Sequence, residues 1–241
     1  MTPQVHVETR VERLRVKVLA AHPHDPTAFT QGLLWEDGVL YESTGLYGRS
    51  SLRRVDPMTG EVLEQRPVEK SFFAEGLAKV ENRLLQLTWK AGVVLVYDAE
   101  RLIQIDELGY NGQGWGLAWD GERLIMSDGS SRLTFRDPED FHWMSTLEVH
   151  LEGEPVKLLN ELEFAQGRVW ANIWGEDRIV RIDPTTGAVD GVVDAAGLLQ
   201  PAEKPMVDVL NGIAYDPDSE TFWLTGKFWS KTFQVVFVPD D

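Results

Sequence analysis

This 241-residue sequence predicts an all-β chain folded as a five-bladed propeller. Two observations carry that reading. One phrase recurs five times, as FTQGLLW (from Phe29), FAEGLAK (Phe73), QGWGLAW (Gln113), LNELEFA (Leu159) and LNGIAYD (Leu210). With Gly32 as the anchor of the first copy, the equivalents are Gly76, Gly116, Glu161 and Gly212, at intervals of 44, 40, 45 and 51 residues. Such a period suits one four-stranded antiparallel blade per copy. The second observation is the sequel, which also repeats: a turn signal, a second strand, a polar corner, a third strand, a tight turn and a fourth strand.

The elements follow in order within each copy. The first turns are EDG, ENR, DGE, AQGR and DPDSE, with the Gly, Asn and Asp residues that hairpins favour. Second strands read VLYEST, LLQLTW, RLIMSD, RVWANIW and TFWLTG, where alternation and β-branched or aromatic residues favour strand over helix. Third strands LRRVDP, VLVYDA, LTFRDP and IVRIDP lead into further turns, most plainly DPMTG and DPTTG. No helical periodicity with caps competes. Blades are expected at 29–68, 73–109, 113–149, 159–198 and 209–238. The last copy ends after three strands, and the run at 11–20 is expected to supply its fourth. That would close the ring and make residues 1–241 a single domain without exposed outermost edges.

Composition narrows the function. An apolar content of 43% supports a proper core, and a formal charge of −16 disfavours nucleic acid and anionic membrane surfaces as partners. The absence of cysteine removes disulfides, thiol nucleophiles and thiolate metal sites. The N-terminal stretch lacks an apolar leader core and no run is long enough for a membrane span. A soluble, monomeric, cytoplasmic protein is expected, or a secreted or periplasmic one if a leader had been removed.

In a propeller the first strand of each blade lines the axis, so equivalent positions form rings. The residue before the anchor gives Gln31, Glu75, Trp115, Asn160 and Asn211. Twelve to fifteen residues beyond the anchor, at the end of the second strand, stand Thr44, Trp89, Asp128, Trp174 and Lys227. If strands one and two are antiparallel neighbours, both rings meet at one mouth. Glu75 would then sit among Trp89, Trp115 and Trp174 with Asn160 and Lys227 across the axis, a carboxylate, a cation and amide donors in an aromatic pocket. Plainer readings stand beside this one. Asn160 and Asn211 could satisfy turn backbone, Glu75 and Lys227 could be a structural ion pair, and Asp128 reads as a turn residue. Trp35, Trp119, Trp170 and Trp223 read as core. His22 to Asp25 (HPHD) reads as a surface loop.

The phrases AFTQGL, YESTGLYGRSSLR, FAEGL, LTWK, GWGL, SDGSSRLTFRDP, LNELE with VWANIW, RIDPTTG, and VLNGIAYD with FWLTGKFW resemble, in order, those of the plant and bacterial glutaminyl cyclases, or glutamine cyclotransferases. They span the chain from about Phe29 to Phe237. The resemblance implies a five-bladed propeller enzyme that converts the N-terminal glutamine of a peptide or protein to pyroglutamate with loss of ammonia. It implies no cofactor and no metal, unlike the zinc-dependent animal enzymes. It assigns the acid/base carboxylate to Glu75 and places Lys227 and Asn160 in the pocket, where they are further catalytic candidates because the carbonyl oxygen that turns anionic during attack wants fixed donors. Phe29, Gln31, Phe73, Trp89, Trp115 and Trp174 would contact the substrate. Two other readings stay open. A Ca²⁺-dependent lactonase or esterase would use Glu75, Asn160, Asn211 and Asp128 as a cage, and a non-catalytic propeller would only bind peptides.

Overall fold

The computed structural model describes residues 10–199 and 207–240, so the ends of the expected 1–241 domain lie outside it. The described residues form strands and no helix. The N-terminal strand β1 (Glu12–Pro23) is followed by four strands that pair in sequence order, β2 (Thr30–Glu36), β3 (Val39–Thr44), β4 (Ser51–Val55) and β5 (Val62–Pro67). The next sheet is β6 (Ala74–Val80), β7 (Arg83–Thr88), β8 (Val93–Asp98) and β9 (Ile103–Gly109). A third comprises β10 (Leu117–Trp119), β11 (Leu124–Ser127), β12 (Arg132–Arg136) and β13 (Trp143–Glu148). A two-residue-per-strand hairpin, β14 (His150–Leu151) with β15 (Glu154–Pro155), precedes β16 (Leu159–Ala165), β17 (Arg168–Ile173), β18 (Arg178–Ile182) and β19 (Val189–Asp194). The chain ends with β20 (Leu210–Asp216), β21 (Thr221–Gly226) and β22 (Lys231–Pro239).

β1 pairs antiparallel with β22 over most of its length, which adds a fourth strand to the last sheet, and the strand is three residues longer at its C-terminal end than the run at 11–20. It does one thing the repeat did not foretell. Its first third, Glu12–Arg15, also pairs parallel with β19, so the fourth and last sheets join into one eight-stranded sheet.

Burial follows position in the sheet. The second strand β7 is buried along almost its whole length, whereas the outermost strand β5 alternates between half-buried and exposed. An inner strand is covered on both faces and an outer one is not. Corners are held by a recurrent side-chain device. In DPMTG, Asp56 Oδ1 accepts the N–H groups of Met58 and Thr59 at 2.9 Å each, and in DPTTG, Asp183 Oδ1 does the same for Thr185 and Thr186 at 2.8 and 3.2 Å. These are Asx turns, in which a carboxylate replaces a backbone acceptor.

Each hydrophobic cluster lies between successive sheets. Tyr41 and Leu52 pack with Leu77, Leu84 and Leu95; Leu85 and Leu87 with Leu117 and Leu124; Phe135 with Leu162 and Val169; Trp170 and Ile179 with Phe222 and Leu224. The last sheet packs on the first in the same way, with Leu33, Leu40 and Val55 against Ala214 and Trp223. Trp35 stacks on Trp223 there, centroids 5.2 Å apart.

The first strands meet at the centre of this propeller-like arrangement. Gly76 and Gly116 mark the closest approaches: a Cβ on Gly76 would lie 2.5 Å from Leu117 N, and one on Gly116 would lie 2.1 Å from Asn160 O. The fourth anchor is not glycine, and Glu161 uses the space differently. It is 1% exposed and accepts the backbone N–H of Leu33 (3.2 Å) and of Ile213 (2.8 Å), tying β16 to β2 and β20.

HPHD is not the surface loop the sequence suggested. His24 is buried, bonded through Nδ1 to Trp229 O (2.7 Å) and through Nε2 to Glu42 Oε1 (2.9 Å). Thr30 donates to the same Glu42 oxygen at 2.6 Å, and Arg53 lies 2.8 Å from Asp25 and 3.7 Å from Glu42. A buried carboxylate requires such partners, and here the loop supplies them.

Replacing Glu161 by Ala would leave two buried N–H groups without an acceptor, at about 1–3 kcal/mol each. Glu161→Ala should therefore lose about 2–6 kcal/mol in urea denaturation, and Glu161→Gln, which keeps one carbonyl oxygen, should lose less. Unchanged midpoints for both variants would contradict this role.

Candidate active site

The ring positions owe their placement to breaks in the ladder. Register shifts fall between Thr30 and Gly32, Ala74 and Leu77, Leu159 and Leu162, and Leu210 and Ile213. Gln31, Glu75, Asn160 and Asn211 thus lie within β-bulges, which re-aim side chains and recur beside active sites. In the third sheet β10 begins only at Leu117, and Trp115 N–H instead donates to Ser127 O at 3.0 Å.

The second ring is held by equivalent bonds. The N–H groups of Gly45, Trp89, Trp174 and Lys227 donate to the carbonyls of Phe29, Phe73, Leu158 and Val209. The first sheet therefore contributes Gly45 rather than Thr44, since Gly45, Trp89 and Trp174 each stand thirteen residues beyond their anchor. Thr44 bonds to Ser51 Oγ at 2.7 Å. Asp128 is a turn residue, its Oδ1 accepting Ser130 N–H at 3.0 Å.

Glu75 is 5% exposed. Burial pushes its carboxyl well above the ordinary value of 4.5; Lys227 and then a hydrogen bond from Gln31 pull it down, and burial prevails. Lys227 is 4% exposed, and burial lowers its ammonium from 10.5 against the opposing influence of Glu75 and Asp208. The proton affinities of the two groups are thereby drawn toward each other. Asn211 orients the Gln31 amide: its Nδ2 donates to Thr30 O at 2.9 Å and to Gln31 Oε1 at 3.3 Å. Gln31 is left to present its NH₂ to Glu75.

An aromatic wall runs on from this pair. Lys227 Nζ lies 4.8 Å from the centre of the Phe29 ring. Phe29 meets Phe73 edge-on at 6.0 Å, and Phe73 meets Trp89 at 5.6 Å. Trp89 and Trp115 both aim their indole N–H groups at Gln113 Oε1, at 2.8 and 3.3 Å. Trp115 then contacts Trp174 at 6.4 Å, and Trp174 is 46% exposed at the mouth.

Phe29, Gln31, Phe73, Glu75, Trp89, Trp115, Trp174 and Lys227 are thus linked in one constellation. Asn160 joins through its backbone, its carbonyl accepting Ser127 Oγ at 2.6 Å, and the residue is buried. The sequence reading overlooked Gln113, which bridges two indoles, and Phe228, whose ring lies 5.1 Å from Phe29. It also overlooked Tyr110, whose hydroxyl bonds to Thr88 O. Gln113 opens the third copy of the phrase and could have been found there; the two aromatic residues carried no distinguishing signal. Of the expected Ca²⁺ cage, Asp128 closes its own turn, while Asn211 donates its Nδ2 to Gln31 and keeps its Oδ1 without a hydrogen-bond partner among the described residues.

A desolvated carboxylate beside a desolvated ammonium, under aromatic walls in a propeller-like all-β frame, has the character of an enzyme site for a small group. Comparison with known proteins gives the class a family. The glutamine cyclotransferase family matches residues 1–237. A glutaminyl-peptide cyclotransferase of Arabidopsis thaliana is 41% identical over 226 residues, covering 91% of this chain and 70% of that protein. The crystal structure of Myxococcus xanthus glutaminyl cyclase superimposes with a TM-score of 0.87 at 36% identity, covering 96% of this chain and all of that one. The WD40 domain of Neurospora crassa Pan2, at 12% identity and a TM-score of 0.52 over 88% of this chain and 76% of that one, shares the fold alone. The chain belongs to the glutamine cyclotransferase family.

Lys227 is the largest influence lowering the Glu75 pKa and Gln31 the next. Lys227→Met should move the Glu75 titration to higher pH, and Gln31→Leu should move it the same way by less. Carboxyl ¹³C shifts followed against pH check this; a midpoint that stays or falls in Lys227→Met contradicts it.

Proposed function

We propose that this chain is a glutaminyl-peptide cyclotransferase, acting on peptides or proteins with an N-terminal glutamine, built as a single five-bladed propeller that β1 closes. The observation that carries the mechanism is the burial of Glu75 next to Lys227 at the foot of an aromatic wall.

In cyclisation the α-amine nitrogen attacks the side-chain amide carbon of the same residue. A new C–N bond forms, the old one breaks, and the former amide nitrogen leaves as ammonia. Glu75, ionised, receives the proton the amine must lose and delivers it to the departing nitrogen. Burial suits a carboxyl to this exchange, because it raises proton affinity toward that of the groups it serves. The carbonyl oxygen becomes anionic during attack, and Lys227 and Asn160 are the candidates to stabilise it. Trp89 and Trp115 already converge on one oxygen, so an acceptor in the place of Gln113 Oε1 would meet two donors. Phe29, Phe73 and Trp174 complete a rigid slot that holds the flexible side chain near its reactive conformer.

No step in this scheme needs a metal ion. Incubation of a short amidated Gln peptide with the protein and excess EDTA, followed by mass spectrometry, should show rapid loss of one ammonia, while the matching Asn peptide stays intact. Failure to exceed the enzyme-free blank would defeat the assignment. Glu75→Gln should keep the fold, judged by circular dichroism, and lose about 10²–10⁴-fold in kcat.

The acidic limb of kcat/KM should lie above the ordinary carboxyl value of 4.5, since burial raises Glu75 and the base works ionised. Activity is then lost as pH falls through that raised pKa. In Lys227→Met, whatever its residual rate, the limb should shift to still higher pH; a limb below 4.5 in the parent would exclude Glu75 as the base.

A further inference from the structure

A cavity of about 340 Å³ adjoins the site, lined by Phe29, Gly45, Arg49, Ser50, Arg53 and Lys70 among others. Three cations line it and no carboxylate does, on a chain whose formal charge is −16. Two wall residues connect it to the site. Phe29 lies under the Lys227 ammonium, and at Gly45 a Cβ would come 2.4 Å from the Phe73 ring and 3.0 Å from Gln31 Cγ.

Two of the three cations retain donors. Arg53, whose side chain is 8% exposed, is engaged, with Nε on Ser51 Oγ and Nη1 2.8 Å from Asp25 and 3.7 Å from Glu42. Arg49 and Lys70 are exposed, and among the described residues neither side chain has an ion-pair or hydrogen-bond partner. The turn carrying Arg49 is tied to the Lys70 segment by Gly48 N–H donating to Lys70 O at 3.1 Å, which keeps the two cations on adjacent loops.

We propose that this cavity receives a carboxylate side chain of the substrate peptide, carried by the second or third residue after the N-terminal glutamine. The proposal rests on the cyclotransferase reading of the neighbouring site. Each residue advances an extended chain by at most about 3.6 Å, so a cavity that shares Phe29 and Gly45 with the pocket is reached within one or two residues. The preference runs against the whole-molecule field, which would otherwise repel an acidic peptide. The C-terminal carboxylate of a very short peptide offers the same chemistry and is the competing source.

The test compares kcat/KM for peptides Gln-Xaa-Ala-Ala and Gln-Ala-Xaa-Ala in which Xaa is Glu or Gln, each prepared both C-terminally amidated and with a free C-terminus. The Glu peptide should exceed its Gln counterpart about fivefold in one series, the scale of two partly exposed charge contacts. The advantage should disappear in about 0.5 M NaCl. It should also disappear in the Arg49→Ala/Lys70→Ala double variant, with turnover of the neutral peptide unchanged. Equal values for Glu and Gln in both series, or an advantage that survives the double variant, would overturn the proposal. An advantage confined to peptides with a free C-terminus would overturn the side-chain assignment in favour of the terminal carboxylate. Normal turnover without an acidic preference would leave the cyclotransferase reading intact while removing this one. If no peptide were converted, calorimetric titration of the same peptides would decide separately: tighter binding of the Glu peptide to the parent but not to the double variant supports the cavity, and equal binding overturns it.

Discussion

The innermost strand of each sheet has a neighbour on one side only, and its other edge turns toward the centre of the molecule, where an unpaired N–H is costly. The arrangement of the centre answers that constraint. Glu161 accepts from Leu33 and Ile213, Asn172 Oδ1 accepts Gly212 N–H at 3.1 Å, Trp115 O accepts Gly76 N–H at 2.7 Å, and Ser127 Oγ accepts Gly116 N–H at 2.8 Å. Glycine at the other anchors lets the strands approach closely enough to share these bonds. The bulges that place Glu75 and Gln31 sit at the same level, where the ladder to the second strand is interrupted. Site geometry and central packing are thus consequences of one requirement.

Three buried glutamates show how partners, more than depth, set a carboxyl's behaviour. Burial is the largest influence on all three. At Glu42 it is outweighed by His24, Arg53 and Thr30, and the carboxyl ends below its ordinary value. At Glu161 two backbone N–H groups oppose burial without overcoming it. Glu75 has Lys227 and Gln31, again too few to win. What separates Glu75 from Glu161 is where the oxygens go. Those of Glu161 are both occupied by backbone, whereas Glu75 lies among side chains that lead out to the half-exposed Trp174.

The repeating units and much of the site were legible because the central constraint recurs in every copy. The same close approach selects glycine at Gly32, Gly76 and Gly116, and a φ of 128° favours it at Gly212, so a periodic phrase marks strands that are far apart in sequence. Phase alone then brought Glu75, Gln31 and Lys227 together. It erred by one position in the first sheet, where a count of twelve gave Thr44 and the thirteen that leads to Trp89 and Trp174 gives Gly45. Contacts specific to one copy left no periodic trace. The parallel pairing of β1 with β19, the burial of His24 against Glu42 and the indole bridge at Gln113 each join residues whose local sequence looks like loop or surface.

The candidate site draws on several sheets, and this ties its chemistry to the way the chain ends are held. Glu75 lies on β6, whereas Lys227 follows β21 in the last sheet, so no single sheet fixes the separation of carboxylate and ammonium. That separation depends on the packing of sheet on sheet and on the seating of the last sheet. β22 is bonded to β21 on one side and to β1 on the other, and β1 in turn is bonded to β19. A strand from the start of the chain therefore holds the sheet that positions the cation. Loosening β1 would let Lys227 move relative to Glu75 without touching either residue, and the carboxyl would lose the influence that most restrains its proton affinity. In this architecture the pairing of the N-terminal strand with β22 and β19 is among the contacts that seat the sheet carrying Lys227.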